Sequence, residues 1–270
     1  MNEHLNADTQ ESTVQPIDLK HLHGPFDIIG DVHGCFDELL ELLEKLGYSI
    51  KETNSATKEF DVITPESRQV IFLGDLVDRG PASPDVLGLA MSMVGQNKAL
   101  CVPGNHDVKF VKKLKGRDVK IMHGLAETLE QMADCSDEFR QRVIEFFDQL
   151  PSHRILDDGN LVVAHAGIKE SMQGKDSSKI RAFTLYGDVD GAIDEYGLPI
   201  RKDWGKNYSG NAMVVHGHTP VLEARKVNRT VCIDTGCVFG GKLTAYRFPE
   251  DEFVSVQARR QYSAYAKPLC

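Results

Sequence analysis

The stretch FDIIGDVHG at residues 26–34 joins a short, mostly apolar run to a turn that carries an aspartate and a histidine. Four later segments repeat this arrangement, each with an apolar run before a turn bearing Asp, Asn or His. The four turns are GDLVDRG at 74–80, GNHD at 104–107, AHAG at 164–167 and GHTP at 217–220. Short apolar runs bounded by Gly or Pro are typical of buried strands, and strand ends in an open α/β sheet border one crevice. We therefore expect all five turns to converge on a single site.

Six such runs are predicted to be strands, and two further runs are predicted to form a late hairpin. The six are residues 26–29, 70–73, 99–102, 161–164, 213–215 and 230–233, and the hairpin is 243–248 with 253–257. Apolar residues at helical spacing predict helices at 36–46, 84–94 and 125–150. We expect 51–69 to be a loop insertion and 170–212 to be a long irregular stretch. This order of elements predicts an α/β sandwich with mixed sheets.

The chain is expected to form one domain behind a polar leader. We predict that residues 1–24 form a flexible leader and that residues 25–270 form a single domain without internal repeats. No stretch approaches about 18 consecutive apolar residues and no secretory h-region is seen, so we expect no membrane partner and a cytoplasmic location. A formal net charge of −9 argues against broad wrapping of nucleic acid, and six cysteines without a CxxC pair argue against a thiolate zinc site.

The five turns deliver carboxylates, imidazoles and one amide, namely Asp31, His33, Asp75, Asn105, His165 and His218. Such oxygen and nitrogen ligands suit Mn, Fe, Zn and similar divalent ions. A side chain that bridges two cations must offer two oxygens, and Asp75 on its tight turn is the natural candidate. Two cations about 3.5–4 Å apart can clamp a phosphate and lower the pKa of a shared water toward neutrality. The sequence therefore predicts a two-metal site that hydrolyses a phosphate ester.

Together the five turns resemble the calcineurin-type metallophosphoesterase superfamily, in its phosphoprotein-phosphatase-like branch, over residues from about 26 to 248. This resemblance implies an αββα sandwich with two mixed sheets and a binuclear-metal phosphatase. The ligands that it implies for the first metal are Asp31, His33 and Asp75. Those that it implies for the second are Asp75, Asn105, His165 and His218. Manganese is the metal expected in both places, with nickel, iron and zinc as alternatives.

Further residues receive roles from the same resemblance. His106 would protonate the leaving alkoxide, Asp78 would orient His106, and Arg79 would hold the phosphate oxygens. An imidazole beside a metal-bound Asn is well placed for proton transfer, which contributes about 10²–10⁴-fold, and Arg can bind two phosphate oxygens at once. Asp234, in the segment IDTG, is expected either to bind substrate or to serve only as a turn residue. His216 is left out of the ligand set, because the family pattern places the ligand at the histidine followed by Thr-Pro.

A narrower likeness concerns the substrate. Residues ALCVPGNHDVK (99–109), HGLAETLEQ (123–131), LDDGNLVVAHAGIKE (156–170) and IDTGCVFGGKLTAYRFPE (233–250) resemble the phosphatase module of bacterial polynucleotide kinase-phosphatases. That likeness implies RNA repair, with the 2′- or 3′-phosphate end of RNA or DNA as substrate. Neither a P-loop nor a nucleotidyltransferase lysine motif is present. Six cations between Lys109 and Lys120 favour a nucleic-acid end, although a solvated helix face accounts for them equally.

Three hypotheses about function stand at this point. The first is a phosphatase of polynucleotide 2′- or 3′-phosphate ends. The second is a bis(5′-nucleosyl)-tetraphosphatase or a Ser/Thr protein phosphatase of the same branch. The third is a catalytically dead scaffold that keeps the fold, and the complete ligand set argues against it. The sequence leaves the first two open, together with the oligomeric state.

Overall fold

The computed structural model describes residues 14–65 and 67–267. The strands are β1 (Asp18–Leu19), β2 (Phe26–Ile29), β3 (Ser49–Asn54), β4 (Glu59–Ile63), β5 (Gln69–Phe72), β6 (Ala99–Cys101), β7 (Arg154–Leu156), β8 (Leu161–Val163), β9 (Asp188–Ile193), β10 (Pro199–Lys202), β11 (Met213–His216), β12 (Arg225–Val227), β13 (Thr230–Cys232), β14 (Lys242–Phe248) and β15 (Glu252–Gln257). The α-helices are α1 (Phe36–Lys45), α2 (Ser83–Gly95), α3 (Asn105–Leu114), α4 (Leu125–Ala133), α5 (Asp137–Asp148) and α6 (Ser178–Tyr186). Short 3-10 helices lie at Asp157–Gly159, Glu170–Met172, Trp204–Asn207 and Cys237–Phe239.

Two mixed sheets form the centre of the molecule. The five-stranded sheet has the order β15-β14-β2-β5-β6, and the six-stranded sheet has the order β1-β7-β8-β11-β13-β12. In the first sheet β2, β5 and β6 are parallel, while β14 and β15 pair antiparallel. In the second sheet β8, β11 and β13 are parallel. The five strands that precede the predicted site turns all belong to these parallel sets.

The layers follow from alternation of side chains along each strand. Ile28 of β2 and Val163 of β8 point into the space between the two sheets and share one buried cluster. Ile29, the next residue of β2, points the other way and packs with α1 and α2. Val162 of β8 packs on the opposite side of its own sheet against α6. The predicted αββα sandwich with two mixed sheets is therefore confirmed.

Two segments that were expected to be irregular contain regular structure. Residues 51–69 include most of the antiparallel hairpin β3–β4, and residues 170–212 contain α6 and the antiparallel hairpin β9–β10. Neither β3 nor β9 buries a side chain, so both lack the apolar run from which the other strands were predicted. The helix expected over 125–150 is two helices, because the Ser136 hydroxyl accepts the Phe139 N–H at 3.1 Å and begins α5.

Part of the predicted leader is built into the fold. Strand β1 pairs in parallel with β7, and the buried Arg154 guanidinium donates to the Pro16 carbonyl at 2.6 Å. Main-chain hydrogen bonds thus join residues 17–22 of the expected leader to β7 and the turn after it. Residues 1–13 lie outside the described residues, and the single domain over 25–270 stays a prediction.

None of the helices among the described residues is both long and apolar enough to cross a membrane. The longest α-helix there is α2, with 13 residues, whereas a span needs about 20. The cytoplasmic location stays a prediction.

A buried ion network ties β2 to the rest of its sheet. The Asp27 carboxylate is fully buried and accepts hydrogen bonds from Arg68 Nε at 2.9 Å, from Arg68 Nη2 at 2.8 Å and from the Tyr48 hydroxyl at 2.8 Å. Glu250, which follows β14, accepts a hydrogen bond from Arg68 Nη1 at 2.6 Å. Because β2 leads directly into the turn that carries Asp31, this network holds the strand from which the first site residues extend.

We expect the substitution Arg68→Ala to lower the free energy of unfolding by about 3 kcal/mol, because it removes two hydrogen bonds to the buried Asp27 carboxylate and leaves only Arg247 Nε, at 3.4 Å, as a cationic partner. Urea denaturation followed by circular dichroism measures this loss. The matched control is Arg181→Ala, which removes an exposed arginine paired with Asp176, and it should cost less than about 1 kcal/mol. Equal losses in the two variants would show that the Asp27 network does not hold β2.

Candidate active site

The turns that follow β2, β5, β6, β8 and β11 converge at one edge of the two sheets. Two groups of metal-type donor atoms form there, and the atoms within each group lie within 4.8 Å of one another. One group is His33, Asp75 and His106, and the other is Asp75, His165 and His218. The predicted convergence is therefore present, and Asp75 is the residue that both groups share.

The Asp75 carboxylate uses its two oxygens differently. Oδ2 lies 3.6 Å from His33 Nε2 and 3.4 Å from His165 Nε2, so one oxygen faces both donor groups. Oδ1 accepts the main-chain N–H of His106 at 2.9 Å. Oδ2 is therefore the oxygen that faces both donor groups, while Oδ1 is engaged by the main chain. That Asp75 would help to hold both cations stays a prediction.

Main-chain carbonyls orient two of the imidazoles. His33 Nδ1 lies 2.8 Å from the Val77 carbonyl, and His165 Nδ1 lies 2.9 Å from the Leu73 carbonyl. Since a carbonyl can only accept, Nδ1–H is the donor in both cases, and Nε2 is directed toward Asp75. Outer contacts of this kind fix the tautomer and the ring direction of metal-binding histidines.

The space around His165 Nε2 requires a positive charge. Asn105 Oδ1 lies 3.2 Å and Asp75 Oδ2 lies 3.4 Å from this nitrogen, and both are acceptors. Burial lowers the pKa of His165, but the negative charges of Asp75 and Asp31 outweigh burial and raise the pKa to about 10. A proton or a cation must therefore lie among these atoms. A divalent ion meets the same need, and the donor set fits it.

The remaining expected ligands lie at the same edge. His218 Nδ1 is 3.1 Å from His165 Nε2, and His218 Nε2 is buried with no hydrogen-bond partner among the described residues. Asp31 lies outside both donor groups and accepts the His218 N–H at 3.2 Å and 3.1 Å through its two oxygens. A Cβ atom on Gly217 would lie 2.0 Å from Asp31 Oδ1, so only glycine allows this approach. Four of the six expected ligands thus belong to the two donor groups, and Asn105 and Asp31 contact His165 and the His218 main chain beside them. Their role as metal ligands stays a prediction.

His106 and Asp78 form a buried pair beside the donor groups. His106 Nδ1 lies 2.6 Å from Asp78 Oδ2, as expected for a carboxylate that orients the imidazole. The Thr128 hydroxyl donates to Asp78 Oδ1 at 2.8 Å, and the Asp78 N–H donates to the same hydroxyl at 3.0 Å. Sequence reasoning missed Thr128, because it lies in α4 and no turn motif marks it. It holds Asp78 from the side opposite to His106.

Arg79 reaches the same centre from the GDLVDRG turn. Its Nη1 atom lies 2.6 Å from His33 Nε2, and its guanidinium carbon lies 5.2 Å from the centre of the Phe239 ring. Asp78 and Arg79 both have φ values near the left-handed region, at 75° and 73°. This turn directs one side chain at His106 and the next at His33, so the guanidinium lies beside the donor groups. Phosphate binding by Arg79 stays a prediction.

Asp234 and His216 lie beside the centre. Asp234 is buried and accepts the Gly236 N–H at 3.1 Å, while burial raises its pKa to about 6. It is therefore a turn residue that also faces the charges of the site.

His216 lies outside both donor groups, and its ring centre is 5.2 Å from that of Trp204. Burial lowers the pKa of His216 to about 4, which keeps this ring neutral.

Arg201 of β10 is a site residue that the sequence did not reveal. It lines a cavity of about 170 Å³ together with Trp204, His216 and His218. Its Nε atom is buried and has no hydrogen-bond partner among the described residues. Burial lowers the pKa of Arg201, and the charges of Tyr265, Asp234 and Asp75 act against that shift. No motif marks this residue, since it lies in the stretch that was expected to be irregular.

The basic run at residues 109–120 does not form a patch at the centre. Its first member approaches the centre, because Lys109 Nζ donates to the Met122 carbonyl at 3.2 Å and the charge of Asp78 acts against the lowering of the Lys109 pKa by burial. A helix rises about 1.5 Å per residue, so Leu114 at the end of α3 lies roughly 13 Å along the axis from Asn105. Lys112, Lys115 and Arg117 line a separate cavity of about 260 Å³ near that end. These three cations therefore lie away from the donor groups.

Comparison with known proteins agrees with this geometry. Residues 24–249 match the family described as calcineurin-like phosphoesterases. The chain is 47% identical over 241 residues to bis(5′-nucleosyl)-tetraphosphatase PrpE (asymmetrical) of Bacillus subtilis, covering 88% of this chain and 96% of that one. It is also 47% identical over 244 residues to the protein of the same name from Anoxybacillus flavithermus, with 88% and 96% covered. The narrower likeness to polynucleotide kinase-phosphatases is not supported by these relatives.

Solved structures show the same fold at lower identity. A candidate diadenosine tetraphosphatase superposes with a TM-score of 0.63 at 24% identity, over 91% of this chain and 98% of that one. A Ser/Thr protein phosphatase from Saccharomyces cerevisiae superposes with a TM-score of 0.57 at 16% identity, over 92% and 83%. The family match spans the sheets and every turn of the site. The chain therefore belongs to the calcineurin-like phosphoesterases, which are metal-dependent hydrolases of phosphate esters.

Proposed function

We propose that the protein is a bis(5′-nucleosyl)-tetraphosphatase of the asymmetrical type. The observation that carries the proposal is the 47% identity to curated relatives of that name over 96% of their length. In the proposed reaction, the oxygen of a water molecule bonds to the phosphorus next to one nucleoside. The bond from that phosphorus to the neighbouring bridging oxygen breaks. The products are a nucleoside monophosphate and a nucleoside triphosphate.

Two divalent cations would be held by the six gathered ligands, which are Asp31, His33, Asp75, Asn105, His165 and His218. When bound, the cations supply Lewis acidity toward phosphate oxygens and lower the pKa of the attacking water. Oxygen and imidazole nitrogen donors without thiolates support manganese as the metal.

Two arginines supply positive charge for the polyphosphate chain. Arg79 places a guanidinium nitrogen 2.6 Å from His33 Nε2, and Arg201 lines the cavity that also contains His218. A guanidinium can hold two phosphate oxygens in a bidentate manner. A substrate with four linked phosphates offers enough oxygens for both arginines and both cations, whereas a simple phosphomonoester does not.

His106 is the residue that we propose for proton transfer to the leaving oxygen. Its Nδ1 atom is engaged by Asp78 at 2.6 Å, so Nε2 is the nitrogen that can meet substrate. The Asp78 carboxylate stabilises the protonated imidazole. A nucleoside triphosphate is already stable as an anion when it leaves. Proton transfer therefore matters less for the proposed substrate than for an alkyl phosphate.

The other functional hypotheses have weaker support. For the polynucleotide-end hypothesis, Lys115 is paired with Asp148 at 2.6 Å and lies at the far end of α3 from the donor groups. For the protein phosphatase hypothesis, a likeness at 16% identity bears on the fold alone. The dead-scaffold hypothesis conflicts with a ligand set that is complete and gathered in space.

Substrate choice is tested by a turnover panel in the presence of Mn²⁺. We expect diadenosine tetraphosphate to be hydrolysed to AMP and ATP with a kcat/KM at least about tenfold higher than that for an RNA 3′-phosphate or a phosphopeptide, because only the former engages both arginines. Anion-exchange chromatography identifies the products. Turnover of the RNA 3′-phosphate without turnover of the dinucleotide would restore the polynucleotide hypothesis.

Metal dependence has a readout that does not involve activity. Exhaustive EDTA treatment should lower the thermal midpoint of unfolding, because bound ions stabilise the folded state, and Mn²⁺ should restore it. Asp75→Ala should remove most of the bound metal, as measured by elemental analysis, since its Oδ2 faces both donor groups. The control Asp61→Ala changes an exposed carboxylate on β4 and should leave the metal content unchanged. Full metal content in Asp75→Ala would contradict the shared site.

The role of His106 is tested through the leaving group. We expect His106→Ala to lower kcat for an alkyl phosphate by about 10²–10⁴-fold. The loss for p-nitrophenyl phosphate should be far smaller, because nitrophenolate, with a pKa of about 7, leaves without a proton donor. Steady-state kinetics on both substrates measures the difference. Equal losses would mean that His106 binds phosphate and does not donate a proton.

A further inference from the structure

Residues 258–267, which follow β15, run from α1 to the β9–β10 hairpin, and we call this segment the strap. It leaves the end of β15, and the Tyr262 hydroxyl donates to the buried Glu38 carboxylate at 2.8 Å. At its other end, Lys267 Nζ lies 3.5 Å from Asp194, between β9 and β10. The strap is therefore anchored on both sides, to α1 beneath the five-stranded sheet and to the β9–β10 hairpin.

An unbroken row of planar groups links the donor atoms to the strap. Arg79 Nη1 lies 2.6 Å from His33 Nε2, and the Arg79 guanidinium carbon lies 5.2 Å from the centre of the Phe239 ring. The Phe239 ring centre is in turn 4.7 Å from that of Tyr265, with 43° between the ring planes. A phosphate held by Arg79 thus has an aromatic pair directly beside it.

The charges of two arginines act on Tyr265. Its ring is half-buried, and burial raises its pKa, against which the charges of Arg201 and Arg79 act. Arg201 is paired across the β9–β10 hairpin with Val189, whose side chain is exposed. Apolar side chains therefore lie beside both arginines, with Val189 paired to Arg201 and Phe239 at 5.2 Å from Arg79, and the strap adds Tyr265 next to Phe239.

We propose that Tyr265, backed by Phe239, stacks against the base of the nucleotide whose phosphate is held by Arg79. This inference rests on the proposed function, and it assigns the selectivity for nucleotides to the strap. Every nucleobase has a flat apolar face, whichever base it is, so an aromatic side chain can stack against any of them. The strap would then favour dinucleoside polyphosphates over phosphate esters that lack a base.

The test compares a nucleotide with a phosphate that has no base. AMP and inorganic phosphate are used as competitive inhibitors of p-nitrophenyl phosphate hydrolysis by the full chain with Mn²⁺. Tyr265→Ala and Tyr265→Leu should each raise the inhibition constant of AMP by about tenfold, in line with the loss of one stacked aromatic ring. The inhibition constant of inorganic phosphate should stay unchanged, because phosphate reaches only the arginines and the metal ligands. The ratio of the inhibition constant of AMP to that of phosphate should therefore rise by the same factor. The leucine variant keeps the apolar volume and so separates stacking from packing.

Two further variants sharpen the comparison. Tyr265→Phe keeps the ring and should hold the AMP-to-phosphate ratio within about twofold of the parent. Tyr196→Ala removes an exposed tyrosine from the turn between β9 and β10 and should leave both constants unchanged. For diadenosine tetraphosphate, Tyr265→Ala should raise KM more than it lowers kcat, because the ring binds substrate away from the reacting bond.

The outcomes separate this inference from the proposed function. An unchanged AMP-to-phosphate ratio in Tyr265→Ala and Tyr265→Leu would overturn the stacking role, even if the parent hydrolyses diadenosine tetraphosphate. A parent that hydrolyses p-nitrophenyl phosphate but not diadenosine tetraphosphate would overturn the proposed function. If AMP inhibition still depended on Tyr265 in that case, the strap would remain a nucleotide site that serves another nucleotide ester.

Discussion

The arrangement of the site depends on one buried carboxylate oxygen. Asp75 Oδ2 lies between the imidazoles of His33 and His165, at 3.6 Å and 3.4 Å, and belongs to both donor groups. Its partner Oδ1 is held by the His106 N–H, which requires the GNHD turn to pass very close. A Cβ atom on Gly104 would lie 2.1 Å from Oδ1. The ends of β5 and β6 are therefore positioned by a contact that only glycine permits.

Burial of this carboxylate has electrostatic consequences for its neighbours. Asp31, Asp75 and Asp234 are all buried at one sheet edge, and such a group of like charges is costly without compensation. Burial would raise the pKa of Asp75, but the charges of His165 and His106 hold it well below its usual range. Burial does raise the pKa of Asp31, and Asp234 adds to the effect. Divalent cations would complement these carboxylates, and we therefore expect metal binding to stabilise the folded turns.

The sequence predicted the parts of the site that local chemistry defines. Short apolar runs and glycine turns mark strand ends, so the convergence of Asp31, Asp75 and His165 could be expected before any coordinates. Thr128 and Arg201 could not, because each reaches the centre through contacts between segments that are distant in the chain and carry no turn signal. The basic run at residues 109–120 gave a misleading indication of a nucleic-acid end for a related reason. The sequence shows how many cations the run contains, but the direction of α3 determines where they lie. The far end of α3 lies away from the donor groups.

Under the proposed function, substrate selection is expected from the segments that surround the edge of the two sheets. A Ser/Thr protein phosphatase at 16% identity superposes on this chain with a TM-score of 0.57, so the sandwich itself is shared at low identity. Two elements lie around the edge in this chain, the β9–β10 hairpin with Arg201 and the strap with Tyr265. Both bring cationic or aromatic groups to the outer side of Arg79, where the portion of a substrate beyond the reacting phosphate must lie. If the proposed function holds, the sheets supply the groups that break a phosphate bond, and the hairpin and the strap supply the groups that select the molecule carrying that bond.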